Sequence, residues 1–285
     1  MQTDISTTVL TAGDGGRFAV TRLGQPGSHN PVVLIPGLFT GRRFWLSDKG
    51  VGLAAHLAAR GFGCWIVERR GIGASRITEG GRARTGLDEH LRHDLPALQR
   101  HIAESDDRPA FLIGHSFGGV LAARAAAETL DRDRLAGLVL LAAQCEVGLR
   151  ALTPPASHLL RAAATLTGRF PARRLGLGSD DEPAAALTDA CAWVTGTRRS
   201  GGFLPSLTRI RVPALGLVGA GDRSDPPEGC RRFLAHLSGA DTTFRIAGRG
   251  TGFARDYGHA GLVVDPAARA EIWPLVTDWL LARAA

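Results

Sequence analysis

The chain is nearly without lysine: Lys49 is the only one among 285 residues, so arginine carries almost all of the positive charge. Aromatic residues are scarce at 6%. No zinc-finger spacing, RNA-binding aromatic motif or basic zipper is present, and no nucleic-acid partner is expected despite a net charge of +7. Only four cysteines occur, Cys64, Cys145, Cys191 and Cys230, far apart and without a C-x-x-C pair. Cys64 falls in an apolar run, so a reduced core thiol is expected rather than a bridge or a metal ligand. The start, Met1-Gln2-Thr3-Asp4-Ile5, lacks the charged head and apolar core of a secretion signal. No apolar run reaches membrane-spanning length either, and a cytoplasmic protein without a membrane span is expected. The heavy use of Ala, Arg and Gly points to genome composition more than to a chemical task. Arginines alternate with acids in Arg92-His93-Asp94 and Asp131-Arg132-Asp133-Arg134, the pattern of a solvated face.

What is present is enough apolar material, 44% of the chain, for one large core. A single domain over 1–285 is expected, with the α/β alternation of short β-rich runs and longer helical patterns that builds a mostly parallel sheet. Thr7 to Thr11 and Phe18 to Arg22 flank Gly13-Asp14-Gly15-Gly16 as an edge hairpin. Buried strands follow at Val32 to Ile35, Cys64 to Val67, Phe111 to Ile113, Gly137 to Leu141, Ala214 to Val218 and Thr243 to Ile246. Leu91, Leu95, Leu98 and Ile102 set a helical period over Asp88 to Ala103, bent at Pro96. Pro266 to Ala285 reads as a terminal helix interrupted at Pro274. About 70 residues separate the strands ending at Leu141 and starting at Ala214, too many for an ordinary crossover. An insertion over 147–210 is therefore expected, with helices at His158 to Leu166 and Pro183 to Val194. Residues 151–211 carry eight arginines against four acids. A basic solvent face is the plain reading, and attraction of anionic substrates the sharper one.

Gly114-His115-Ser116-Phe117-Gly118-Gly119 lies between the strand Phe111 to Ile113 and the alanine-rich stretch Val120 to Leu130. Strand, sharp turn and helix is the context of a nucleophile elbow, where the strained serine leaves room only for glycine two residues to either side. A serine hydroxyl needs a base, and the base an orienting acid. His259, in Gly258-His259-Ala260-Gly261 after the last strand, is the expected base. Asp222, in the loop after Val218, is the expected acid. Asp225 is its rival, with helix capping as the plainer role, and Glu146 is the other position from which an acid could reach the histidine. His56, His90, His93, His101 and His236 read as helix-surface residues; His29 sits in a turn, and His115 packs or bonds locally. Two backbone donors for an oxyanion are expected at Phe117, on the first turn of the elbow helix, and at Leu38, in the loop Pro36-Gly37-Leu38-Phe39-Thr40-Gly41.

Over essentially its whole length the chain resembles the α/β-hydrolase superfamily, in Pro36-Gly37, Arg70-Gly71-Ile72-Gly73-Ala74-Ser75, the elbow, Gly219 to Asp222 and Gly258-His259. Phe170 to Gly178, with Glu182-Pro183 and Trp193, resembles the insertion of a bacterial group of predicted hydrolases related to lipases. The resemblance implies an α/β-hydrolase fold with an eight-stranded sheet and a helical cap over the serine. The function expected is hydrolysis of a carboxylic ester or thioester through an acyl-enzyme on Ser116, without cofactor or metal, on a small-molecule acyl substrate. The same acyl-enzyme would serve an acyltransferase, and a noncatalytic binding protein would keep the fold alone. Leu38, Phe39, Phe117, Leu159, Leu160 and Trp193 line an apolar acyl pocket or belong to ordinary core.

Overall fold

A computed structural model describes residues 5–24, 28–78, 83–148 and 150–284. Met1 to Asp4, Leu149 and Ala285, on which parts of the sequence reading fell, lie outside the described residues. The chain opens with β1 (Ile5–Thr11) and β2 (Arg17–Leu23), paired antiparallel, then β3 (His29–Ile35), α1 (Leu53–Ala58) and β4 (Phe62–Val67). His29, expected in a turn, is the first residue of β3. After α2 (Leu87–Glu89) and α3 (Leu95–Ala103) come β5 (Ala110–His115), α4 (Phe117–Glu128) and β6 (Leu135–Leu141). Between β6 and β9 (Ala214–Gly219) stand α5 (Ala156–Thr167), a small hairpin of β7 (Arg169–Phe170) and β8 (Glu182–Pro183), and α6 (Ala184–Ser200). The chain closes with α7 (Pro227–Ala235), β10 (Thr242–Ala247), α8 (Gly261–Val264) and α9 (Ala268–Leu281).

Eight strands form one sheet in the order β1-β2-β4-β3-β5-β6-β9-β10. From β4 to β10 neighbouring strands run parallel, and β1 and β2 attach antiparallel at one edge. β4, β5 and β9 are buried at every residue. That is why they read as unbroken apolar runs: helices cover both faces of a parallel sheet. Successive residues point to opposite faces. Val33 and Ile35 therefore join the core with α3, α4 and α6, whereas Val32 and Leu34 join the one with α1 and α9. Among the described residues no helix is long and apolar enough to cross a membrane.

Two helix expectations need correction. The single helix expected over Asp88 to Ala103 is broken by a π-helical turn at His90–Asp94, just before Pro96 in the first turn of α3. Proline has no N–H to offer Arg92, and the ladder widens there. The wider turn puts His90 and Asp94 inside, neither on the solvated face that the sequence suggested. Asp94 accepts from Arg70 Nε at 3.0 Å and Nη2 at 2.6 Å, and His90 Nδ1 lies 2.9 Å from its other oxygen. Arg70 also reaches Asp14, at 2.7 Å. α9 passes through Pro274 without restarting, with the Thr277 hydroxyl donating to the Trp273 carbonyl at 2.8 Å.

Candidate active site

β5 ends at His115 and α4 begins at Phe117, leaving Ser116 between them at φ +54° and ψ −129°. A non-glycine residue there is strained, and the surroundings must hold it. They do so with the Ser116 N–H donating to the Leu141 carbonyl at 2.8 Å. The glycines are required by contact: a Cβ on Gly114 would lie 2.4 Å from the Gly118 carbonyl, and one on Gly118 2.3 Å from the Ile35 carbonyl. The first N–H groups of an α-helix have no partner within it. The Phe117 N–H is one of these, beside Ser116.

His259 lies in the loop after β10, and its Nδ1 meets Asp222 Oδ2 at 2.9 Å. Asp222 is itself fixed, because its Oδ1 accepts the Ser224 and Asp225 N–H groups, both at 2.9 Å. Burial lowers the affinity of His259 for a proton, but the hydrogen bond to Asp222 and the charges of Asp225 and Asp222 outweigh it and hold the pKa above the usual value. The expected base and acid are thus brought together. Glu146 is not part of the group: it meets His236 Nε2 at 3.1 Å.

Asp225 departs from its plainer expected role. Its side chain caps no helix; instead Oδ2 accepts the Ser116 hydroxyl at 3.2 Å and Oδ1 accepts Gln144 Nε2 at 2.6 Å. The same Oδ2 stands 3.8 Å from His259 Nδ1. His115 also reaches further than expected. Its Nε2 lies 3.0 Å from the His259 carbonyl, so the ring braces the loop that carries His259. Burial first, and then the charge of His259, push His115 down to about 3, and it stays neutral at physiological pH.

The loop with Leu38 is held by groups the sequence did not single out. Arg69, buried, donates from Nη1 to the carbonyls of Pro36 at 2.9 Å and Gly37 at 2.7 Å. Its Nη2 donates to both oxygens of Glu182, each at 2.8 Å. Glu182 Oε2 then accepts the Phe39 N–H at 2.6 Å, with Phe39 at φ +64°. Leu38 is thereby fixed on both sides by one buried ion pair that joins the loop after β3 to β8. Two signals were visible in sequence, the doublet Arg69-Arg70 before Gly71 and the Glu182-Pro183 pair, but neither states a partner. Gln144 left no signal at all.

A cavity of about 840 Å³ opens over Ser116 and His259. Leu38, Phe39, Phe44 and Phe117 line it from the sheet side, and Leu152, Leu160, Phe170 and Leu177 from the segment between β6 and β9. Of the apolar residues expected there, Leu159 is exposed instead, and Trp193 sits behind the wall, stacked on Phe117 at 5.8 Å between ring centroids. Among the described residues, the arginines bordering the cavity are Arg43 and Arg223, neither of them from 151–211. Arginines of that stretch serve backbone instead: Arg169 binds the Gly71 and Asp181 carbonyls, and Arg198 the Gly148 carbonyl.

Sheet order, crossover helices and the turn at Ser116 define an α/β hydrolase. The family model described as serine aminopeptidase, S33, matches residues 42–250, and the chain belongs to that family of hydrolases. The matched stretch holds Ser116, Asp222 and Asp225. A search of curated proteins found no match. Among solved structures, the α/β hydrolase GrgF from Penicillium sp. sh18 is similar with a TM-score of 0.73 and 16% identity, over 98% of this chain and 99% of that one. An esterase from Thermogutta terrifontis gives 0.66 and 18% over 97% and 98%. The monoacylglycerol lipase of Paleococcus ferrophilus gives 0.63 and 22% over 93% and 99%.

Proposed function

We propose that this hydrolase cleaves a carboxylic ester through an acyl-enzyme on Ser116. The observation that carries the reading is Ser116 held at φ +54° on the elbow beside a histidine paired through Nδ1 with a buried aspartate. Asp222 fixes the imidazole so that Nε2 is free to accept the serine proton, and it stabilises the imidazolium that results. His259, raised in pKa by its acids, then returns the proton to the leaving oxygen. The Leu38 and Phe117 N–H groups receive the oxyanion. The pull of α4 favours the same charge at Phe117, since a helix N-terminus is partly positive. Water on the second half-reaction releases the acid. A thioester would follow the same course with a sulfur leaving group.

The whole chain acts as one domain in this reading, with 147–210 as a cap that brings Leu152, Leu160, Phe170 and Leu177 over the nucleophile. The apolar lining suits an acyl chain, and an esterase and a monoacylglycerol lipase are among the similar folds. Fluorophosphonate labelling of Ser116 together with turnover of p-nitrophenyl esters tests the proposal. Ser116→Ala should abolish both. Folded wild-type protein that neither labels nor turns over esters of any chain length overturns it.

A further inference from the structure

The Ser116 hydroxyl already has an acceptor, and it is a carboxyl. Asp225 is 3% exposed, and its two oxygens are assigned by their neighbours. Gln144 accepts the Glu146 and Val147 N–H groups, both at 2.8 Å, on its own oxygen, which turns Nε2 toward Asp225 Oδ1. Oδ2 is left facing the hydroxyl at 3.2 Å, within the reach of a general base. The Asp225 N–H bond to Asp222 Oδ1 ties this carboxyl to the acid that carries His259.

We infer that Asp225 is a second proton acceptor for Ser116, working beside His259 at the same nucleophile. The inference rests on the reading of Ser116 as nucleophile. In the step, the Ser116 O–H bond breaks and its proton passes to Asp225 Oδ2 as Oγ bonds to the acyl carbon. The carbonyl π pair moves onto oxygen. On collapse that pair reforms the double bond, the bond to the leaving group breaks, and the proton passes back from Asp225 to the leaving oxygen. No co-reactant is needed.

The electrostatics suit the role. Burial pushes Asp225 up to about 7, helped by the charge of Asp222 and opposed by the charge of His259 and the hydrogen bonds from Gln144 and Ser116. A base is most effective when its pKa lies near the working pH. Each element around Asp225 contributes a group: Ser116 from the elbow, Gln144 and the buried Cys145 thiol from after β6, Asp222 from its own loop, His259 from after β10. On α7 the Cys230 thiol donates to the Asp225 carbonyl at 3.5 Å.

The test compares rates of fluorophosphonate labelling of Ser116 across pH in wild type, His259→Ala, and His259→Ala combined with Asp225→Asn. His259→Ala should still label, with a rate that rises with pH to a plateau. Because the lowering charge of His259 is gone, the midpoint should lie above about 7. Adding Asp225→Asn should slow labelling about 10²-fold further, the lower end of what a positioned base supplies, and remove the plateau. Equal rates in the two variants overturn the inference. So does labelling by His259→Ala that keeps climbing with hydroxide and never levels, a result that decides the matter even where the double variant fails to fold. Absence of labelling in wild type is a different failure, that of Ser116 as nucleophile.

Discussion

Glu182→Gln removes one charge and leaves the shape of the side chain. The carboxylate is fully buried, Arg69 is 4% exposed, and three hydrogen-bond contacts from two nitrogens converge on the carboxylate, two from Arg69 Nη2 and one from the Phe39 amide. An amide has one oxygen to offer. If it serves Phe39, its NH2 faces the guanidinium, donor against donor. Breaking a buried pair in this way costs about 3–5 kcal/mol. Arg69 keeps the Pro36 and Gly37 carbonyls, so the lower figure of about 3 kcal/mol is expected. At about 2 °C per kcal/mol for a large domain, the melting temperature should fall by about 6 °C. The activity should fall further than the stability suggests, because Leu38 sits between Gly37, whose carbonyl Arg69 holds, and Phe39, whose amide Glu182 holds, and the pairing that aligns these two holds is broken. Loss of a whole oxyanion donor costs about 10²–10³ in kcat, and a displaced one about tenfold or more, with KM little changed. Melting curves and ester kinetics well below the transition read both effects. A melting temperature within about 2 °C of wild type together with kcat within about twofold would refute the argument that this ion pair aims the loop.

Gly118→Ala should yield little folded protein, since the new methyl meets the backbone carbonyls of Ile35 and Pro36 at 2.3 and 2.6 Å, and neither can turn aside; soluble yield and labelling check it. Leu160→Trp, filling the cavity from the side opposite the sheet, should raise KM for long-chain esters while leaving short ones nearly unchanged. Asp14 is held at about 2, below its ordinary 3.8, by the hydrogen bond from Arg70 against the effect of burial. A lowered acid stabilises the fold above its unfolded value, and the contribution is lost as pH falls through 3.8 toward about 2. The gap in urea midpoint between wild type and Asp14→Asn should therefore be full at neutral pH and shrink in that acidic window.

Periodicity and local chemistry make much of this fold legible in the sequence. The parallel strands could be read because residues buried on both faces leave continuous apolar runs, and Ser116 because its backbone admits only glycine nearby. The roles proposed for His259 and Asp222 come from chain order, and the structure adds their contact at 2.9 Å. The π-helical turn at His90–Asp94 was not legible, since the helical spacing of Leu91, Leu95 and Leu98 hides one extra residue in the ladder.

By itself the sequence determined which local geometries were allowed: strand, elbow, helix, and a histidine loop after the last strand. The tertiary structure alone decided which distant groups meet. Arg69 and Glu182 are 113 positions apart, and Ser116 and Asp225 are 109 apart. A charged residue has the same local signature whether it ends in solvent or in a buried pair, so only packing distinguishes them. That is why Asp225 could be read as a plain helix cap and is found against the hydroxyl of Ser116.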